Sequence, residues 1–182
     1  MSYTNSSSTN ITETLLVGHY NPGNTLIVNN SSTLEAEKLV VGNGEYSINN
    51  LVSVEGDALL MVGESDTNGL ATGGIVVGGV DDDSSALVVD HASKLEGEYL
   101  YVGFGTNDSG KVELSNNTDI TDDLSELNIA QDAYVGHAGS TNSITINSKS
   151  IMRVGGMLTV GSASGSNNYV NINKDGILFV NS

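Results

Sequence analysis

The sequence predicts an all-β fold, a single-stranded parallel β-helix (β-solenoid) of about six turns of roughly 25 residues, with three short strands per turn. Two observations predict it. The first is a recurring beat: Leu26, Val28, the small Ser32, Leu34, Leu39, then Val40-Val41-Gly42. Leu87, Val89, Ser93, Leu95, Leu100, Val102 and Gly103 repeat every offset further down the chain. The second is the spacing itself. Apolar residues fall at i, i+2, then i+6, i+8, then i+13, i+15, which is period two interrupted at fixed intervals and does not fit an amphipathic helix.

The elements follow in order. The N-terminal stretch is polar until Leu15-Leu16-Val17-Gly18, which reads as a closing strand with little before it. Residues 1–14 are therefore expected to form a polar arm, free to pair with a neighbouring subunit, and residues 15–182 to form the coil. Val52, Val54, Ala58 and Leu60 open the next beat, and Ile75, Val77 and Gly78 close it. Val112, Leu114, Thr118, Ile120, Ala133, Val135 and Gly136 follow, then Ile144, Ile146, Ser150, Met152, Leu158, Val160 and Gly161. The last beat has Val170, Ile172, Gly176 and Leu178 but no closing L-x-V-G.

Stacking such turns about 4.8 Å apart lines equivalent residues into inward columns. One column is Leu26, Val52, Leu87, Val112, Ile144 and Val170. A second runs from Val28 to Ile172. A third is expected to be Leu34, Leu60, Leu95, Ile120, Met152 and Leu178. The column Ser32, Ala58, Ser93, Thr118, Ser150 and Gly176 is uniformly small, as a tight corner requires. The Gly after each closing Val fits a bend with φ > 0. Extra residues near 61–74 and 121–132 are expected to occupy the same slot and to project from one edge, either as tolerated loop growth or as a functional margin.

Composition limits the partners. Six basic against 22 acidic residues give a formal charge of −16. That excludes nucleic acid as an expected partner, because phosphate binding needs clustered Lys and Arg. No apolar run approaches the roughly 20 residues of a membrane span. With no Cys, the coil needs no disulfide, because each turn holds the next.

Taken together, the beat L-x-V-x3-(small)-x-L-x4-L-x-V-G over residues 15–180 resembles the β-helical repeat of type V autotransporter passengers and related bacterial surface proteins. The resemblance implies a right-handed coil and an extracellular or cell-surface, bacterial setting. It implies no particular activity, because one fold carries many functions.

Catalytic chemistry is not expected. A lyase acting on acidic sugars needs basic residues, and the chain has one Arg, Arg153, and five scattered Lys. A glycoside hydrolase needs two carboxylates across a groove, and Asp122-Asp123 is the only pair with any appeal. Asp81, Asp82 and Asp83 are the weak metal candidates. They could hold Ca²⁺ through oxygen ligands, although a solvated acidic turn is the preferred reading. His19, His91 and His137 fall in separate turns and form no metal set.

Two surfaces remain. Leu16, Val40, Val76, Tyr101, Tyr134 and Thr159 form an outward column in which five of six residues are apolar or aromatic. It reads either as a β-propensity effect or as a lateral contact surface, with lateral bundling as one use. The two ends are complementary. The expectation is a head-to-tail homo-oligomer or fibre in which Leu15, Val17 and Gly18 of one subunit complete the turn opened by Val170, Ile172, Leu178 and Val180 of the next. The alternative is an adhesin or binding-module fragment of a longer autotransporter-like surface protein.

Overall fold

The computed structural model describes residues 2–3, 7–63, 73–79, 83–106, 108–117, 123–162 and 165–181, and the side chains of all of these but Ser2, Tyr3 and Asp83. The chain is all-β, and every strand pairing among the described residues is parallel. Strands recur in three rows, the arrangement of a β-solenoid.

The first row is a seven-stranded sheet of Ser2–Tyr3, Thr25–Val28, Leu51–Val54, Asp83–Val89, Ser109–Leu114, Ser143–Ile146 and Tyr169–Ile172. The second row comprises Leu59–Val62, Lys94–Gly97, Ser125–Ile129, Ser150–Val154 and Gly176–Val180. The third comprises Gly74–Val77, Tyr99–Val102, Ala133–Val135 and Leu158–Val160. Two long strands, Ser8–His19 and Thr33–Asn43, run through the corner between the second and third rows and fuse them into one eleven-stranded sheet.

Alternation along each strand builds the core. Leu26 pairs with Val52, Val52 with Leu87, Leu87 with Val112, Val112 with Ile144 and Ile144 with Val170. The closing column runs Val17, Val41, Val77, Val102, Val135 and Val160 in register. Interior members of these columns are fully buried and form one continuous apolar cluster. Each inward side chain packs against the other rows of its own circuit and against the circuits on either side, so stability is approximately a sum of circuit and nearest-neighbour terms.

The corners rest on two devices. The closing glycines Gly18, Gly42, Gly78, Gly103, Gly136 and Gly161 all have φ between 72° and 82°, as the sequence predicts. Before the second row the last left-handed residue is not Gly, although the left-handed Gly56 precedes Asp57. Ser31, Asp57, Ala92, Lys149 and Asp175 all have positive φ. The small residue that follows is more than a spacer. Ala58 N donates to Ser93 Oγ at 3.1 Å, and Ala92 N donates to Ser125 Oγ at 3.1 Å. The buried hydroxyls thus satisfy backbone donors of the adjoining circuit that the corner leaves without a ladder partner.

Two expectations require correction. Leu127, not Ile120, stands between Leu95 and Met152, and Ser125, not Thr118, stands beside Ser150. Thr118 and Ile120 themselves lie outside the described residues. The reason is visible in the next inward position. A strand Thr118-x-Ile120 would aim Asp122 into the column of Val62, Gly97 and Val154, whereas Ser125-x-Leu127 places Ile129 there. Burying an unpaired carboxylate among aliphatics is far more costly than burying an isoleucine. The extra residues of this circuit therefore lie at 115–124, between the first and second rows. Those of the earlier circuit lie at 63–73, between the second and third, so the two extensions do not share a corner.

The second correction concerns residues 1–14. Ser8, Thr9, Asn10 and Ile11 pair with Thr33, Leu34, Glu35 and Ala36 of the same chain, and Ser2–Tyr3 pairs with Ile27–Val28. From Ser8 onward this stretch belongs to the coil rather than to a free arm. Its polar sequence hid the strand, because only Ile11 among Ser8–Ile11 is apolar.

Candidate functional site

At the C-terminal end the columns stop in the open. Val160, Ile172 and Val180 are 44%, 48% and 43% exposed. Their neighbours one circuit inward, Val135, Ile146 and Val154, are essentially inaccessible. Val170, Leu178 and Leu158 are partly buried against the core. Phe179 adds an outward aromatic face at 53% exposure. Among the described residues no strand pairs with the outer edges of Leu158–Val160, Tyr169–Ile172 or Gly176–Val180. Apolar columns ending at unpaired strand edges form a template for another strand. The rim is stepped, because the first and second rows extend one strand further than the third.

The N-terminal end is closed differently. Val17 is only 7% exposed, and Leu15 and Ile11 pack partly against the core. Thr9 continues the column of Leu34 with a polar residue. Gly18 is buried against Asn50, whose Oδ1 accepts from Asn24 N at 2.9 Å and whose Nδ2 donates to Ser47 Oγ at 3.0 Å. Ser47 Oγ donates in turn to the Gly18 carbonyl at 2.9 Å. The same motif recurs near the other end. Asn142 N and Nδ2 both donate to Asn168 Oδ1 at 3.0 Å, and Asn168 lies over Gly136 as Asn142 lies over Gly103.

The residues of the outward column lie in register, and Val40 among them is only 8% exposed. Leu16 pairs with Val40, Val40 with Val76, Val76 with Tyr101, Tyr101 with Tyr134 and Tyr134 with Thr159. Tyr101 and Tyr134 stack with centroids 5.1 Å apart and planes within 5°. Phe104 meets Tyr101 edge-on at 5.4 Å and stacks on His137 at 5.3 Å. Sequence reasoning passed over Phe104. Its signal was the slot after the closing Gly, which also holds His19 and His137. Of these, Tyr101 and Phe104 line an open groove of about 460 Å³ together with Val40, Val76, Tyr99 and Lys38. Tyr134 donates its phenol to Asp132 Oδ2 at 3.3 Å. Partial desolvation, followed by the Asp132 charge, holds that phenol above the usual tyrosine range.

The remaining candidates stay apart. Asp81 and Asp82 lie outside the described residues, as does Asp122, and Asp83 opens a first-row strand. Among the described residues no group of three His, Asp or Glu side chains converges on a metal-sized space. His19 Nδ1 lies 3.1 Å from the Asn43 carbonyl. His91 Nδ1 stands 3.1 Å from Asp90 Oδ2, within ion-pair range but without hydrogen-bond geometry. Asp90 instead accepts from His91 N at 2.7 Å and from Asn117 N and Nδ2 at 3.0 and 2.7 Å, tying one corner to the next circuit.

No family model matches the chain, and neither a curated protein nor a solved structure matches it.

Proposed function

We propose that the protein is a structural subunit of an extracellular filament or surface layer of a bacterium, assembled head-to-tail by copies of this chain. The setting and a right-handed coil of about six turns rest on the autotransporter-like beat. The assembly rests on one observation, the open C-terminal end, where Val160, Ile172 and Val180 are exposed beside unpaired edges. A head-to-tail contact joins different surfaces and does not close, so it propagates. The reading assigns no catalytic residue and no cofactor, Ca²⁺ included.

Ile172→Lys with Val180→Lys tests it. Both side chains are nearly half exposed, so the variant should keep the far-ultraviolet spectrum and nearly the melting temperature of the parent. Sedimentation and negative-stain imaging of the parent should show rods that lengthen with concentration, and the double variant should remain monomeric. A parent that stays monomeric across the concentration range rejects the filament.

A second reading has its own support. Tyr99, Tyr101 and Phe104 line a groove, and Tyr134 stacks on Tyr101 beside it; such aromatic faces suit an adhesin or binding module that grips a receptor or glycan. Glycan-array binding that is lost in Tyr101→Ala, with no self-assembly, would favour that reading.

A further inference from the structure

The geometry points to an exchanged junction: the strand segments Ser2–Tyr3 and Ser8–Ile11 cap their own subunit, and the last two strands of another copy displace them. This rests on the head-to-tail reading above and specifies how the ends join.

The strand counts carry the argument. The first row holds seven strands, the second runs from Ser8–Ile11 to Gly176–Val180, and the third from Leu15–Val17 to Leu158–Val160. Within the subunit, the first and second rows each have one more strand than the third. Two such subunits stacked as they stand would bring Ser8–Ile11 onto Gly176–Val180. Leu15–Val17 would then lie two strand spacings above Leu158–Val160, with an empty strand position between them. Removing the segments Ser2–Tyr3 and Ser8–Ile11 from the coil equalises the rows at six strands each. Leu15–Val17 then fits the step directly on Leu158–Val160. Thr25–Val28 falls on Tyr169–Ile172, and Thr33–Ala36 falls on Ile177–Val180, the register that the second row keeps throughout. No position is left empty.

The chemistry of the columns agrees. In the exchanged junction Val17 meets Val160, Val28 meets Ile172 and Leu34 meets Leu178. Within the subunit, Leu34 is paired instead with Thr9. The cap is also poorly joined to the strand it precedes. The register shifts between Ile11 and Thr14 against Ala36 and Lys38, so one extra residue bulges there. A hollow of about 320 Å³ opens beside the same residues, lined by Asn10, Ile11, Thr12, Glu35 and Met61. A bulge ends regular pairing and marks where the cap can part from Leu15–Val17.

An independent observation lies at Gly161. Gly103 and Gly136 are each covered by the Asn that precedes a first-row strand two steps on, Asn142 and Asn168. Gly161 has the same φ of 72° but nothing within 4 Å of its Cβ position. In the exchanged junction the first-row strand two steps beyond Gly161 is Thr25–Val28 of the second copy. The residue before it is Asn24. An asparagine therefore arrives where the motif needs one. Asn24 Oδ1 takes the place toward Asn168 that Asn168 Oδ1 holds toward Asn142.

Paired cysteines in the full chain, which has no Cys of its own, decide between the arrangements. Neighbouring parallel strands put paired residues within disulfide reach, and a residue two strands away is beyond it. Leu16→Cys with Thr159→Cys should give a reducible ladder of covalent oligomers after mild oxidation, and so should Glu35→Cys with Phe179→Cys. Asn10→Cys with Phe179→Cys should give none. Fibre diffraction should show an axial repeat of about 29 Å, six strand spacings, rather than about 34 Å. A ladder from the Asn10–Phe179 pair with the longer repeat overturns the exchange and leaves the filament standing. No ladder from any pair, with the parent monomeric, removes both.

Discussion

The two ends of the coil finish the same columns in opposite ways. At the N-terminal end the Leu34 column ends in Thr9, the Ala36 column in Ile11, and Val17 is nearly covered. At the C-terminal end the matching columns end in Leu178, Val180 and Val160, with Val180 and Val160 more than 40% exposed. A solenoid needs a terminal unit with a polar outer face if it is to remain soluble alone. The N-terminal end approaches that design with Ser8, Thr9 and Asn10. The C-terminal end keeps the residues of an interior circuit. The contrast locates cohesion in neighbour contacts and assigns the two ends different tasks.

The largest effect should come from moving one substitution between the interior and the open end. Leu95 is fully buried between Leu60 and Leu127. Leu95→Ala should cost about 2–5 kcal/mol, because it removes transfer energy and leaves a cavity between two circuits. Leu178→Ala in the monomer should cost at most about 1.5 kcal/mol, since that side chain has a neighbour circuit on only one side. Urea titrations of dilute protein should show this ratio. An equal cost at both sites would mean that the C-terminal end is already covered in the monomer. If the end is covered only on assembly, Leu178→Ala should raise the concentration at which rods form.

A smaller and cleaner difference separates two glycines of the same beat. Gly103 and Gly161 share φ 72°. An Ala at either position bears the left-handed backbone strain, about 1–2 kcal/mol. Only at Gly103 would the new methyl strike the Asn142 side chain, which is fully buried and whose Oδ1 accepts from Gly110 N at 2.6 Å. Gly103→Ala should therefore lower the melting temperature well beyond Gly161→Ala in dilute protein. Under assembling conditions Gly161→Ala should become the more disruptive of the two. Parity between them in the monomer would show that the asparagine motif yields at little cost.

The same pair of ends explains what could be read from the chain and what could not. The columns through Leu26 and Val28 were legible because both strand faces obey period two and the beat repeats with few substitutions. The circuit that opens at Val112 misled because Thr118-x-Ile120 satisfies the same spacing as Ser125-x-Leu127. Only the inward cost of Asp122 separates them, and that is a burial argument rather than a spacing one. The strand at Ser8–Ile11 was illegible for a related reason. An end strand has one neighbour, so polar residues are tolerated there and the alternation that marks a strand fades. Hydroxyl ladders at the corners were seen only as small residues, because their acceptor role depends on which circuit lies alongside.

The smallest effect should be a pH response at one interior corner, away from both ends. Burial alone would raise the Asp90 pKa. Hydrogen bonds from the Asn117 side chain and backbone and from His91 N, together with the nearby His91, outweigh it and leave the carboxyl below its usual value. A group whose folded pKa is depressed contributes stability that is fully present above its unfolded value near 3.9 and is lost as pH falls through the folded one. Wild type and Asp90→Asn should therefore differ at neutral pH, with the variant less stable by about 0.5–1.5 kcal/mol for the weakened bonds. The difference should shrink as pH drops below about 4, where the native carboxyl also becomes neutral. Melting curves of both proteins between neutral and strongly acidic pH would measure the convergence. A gap that persists unchanged into acid would show that Asp90 acts by its shape and not by its charge, and the tie to Asn117 would then be ordinary corner packing.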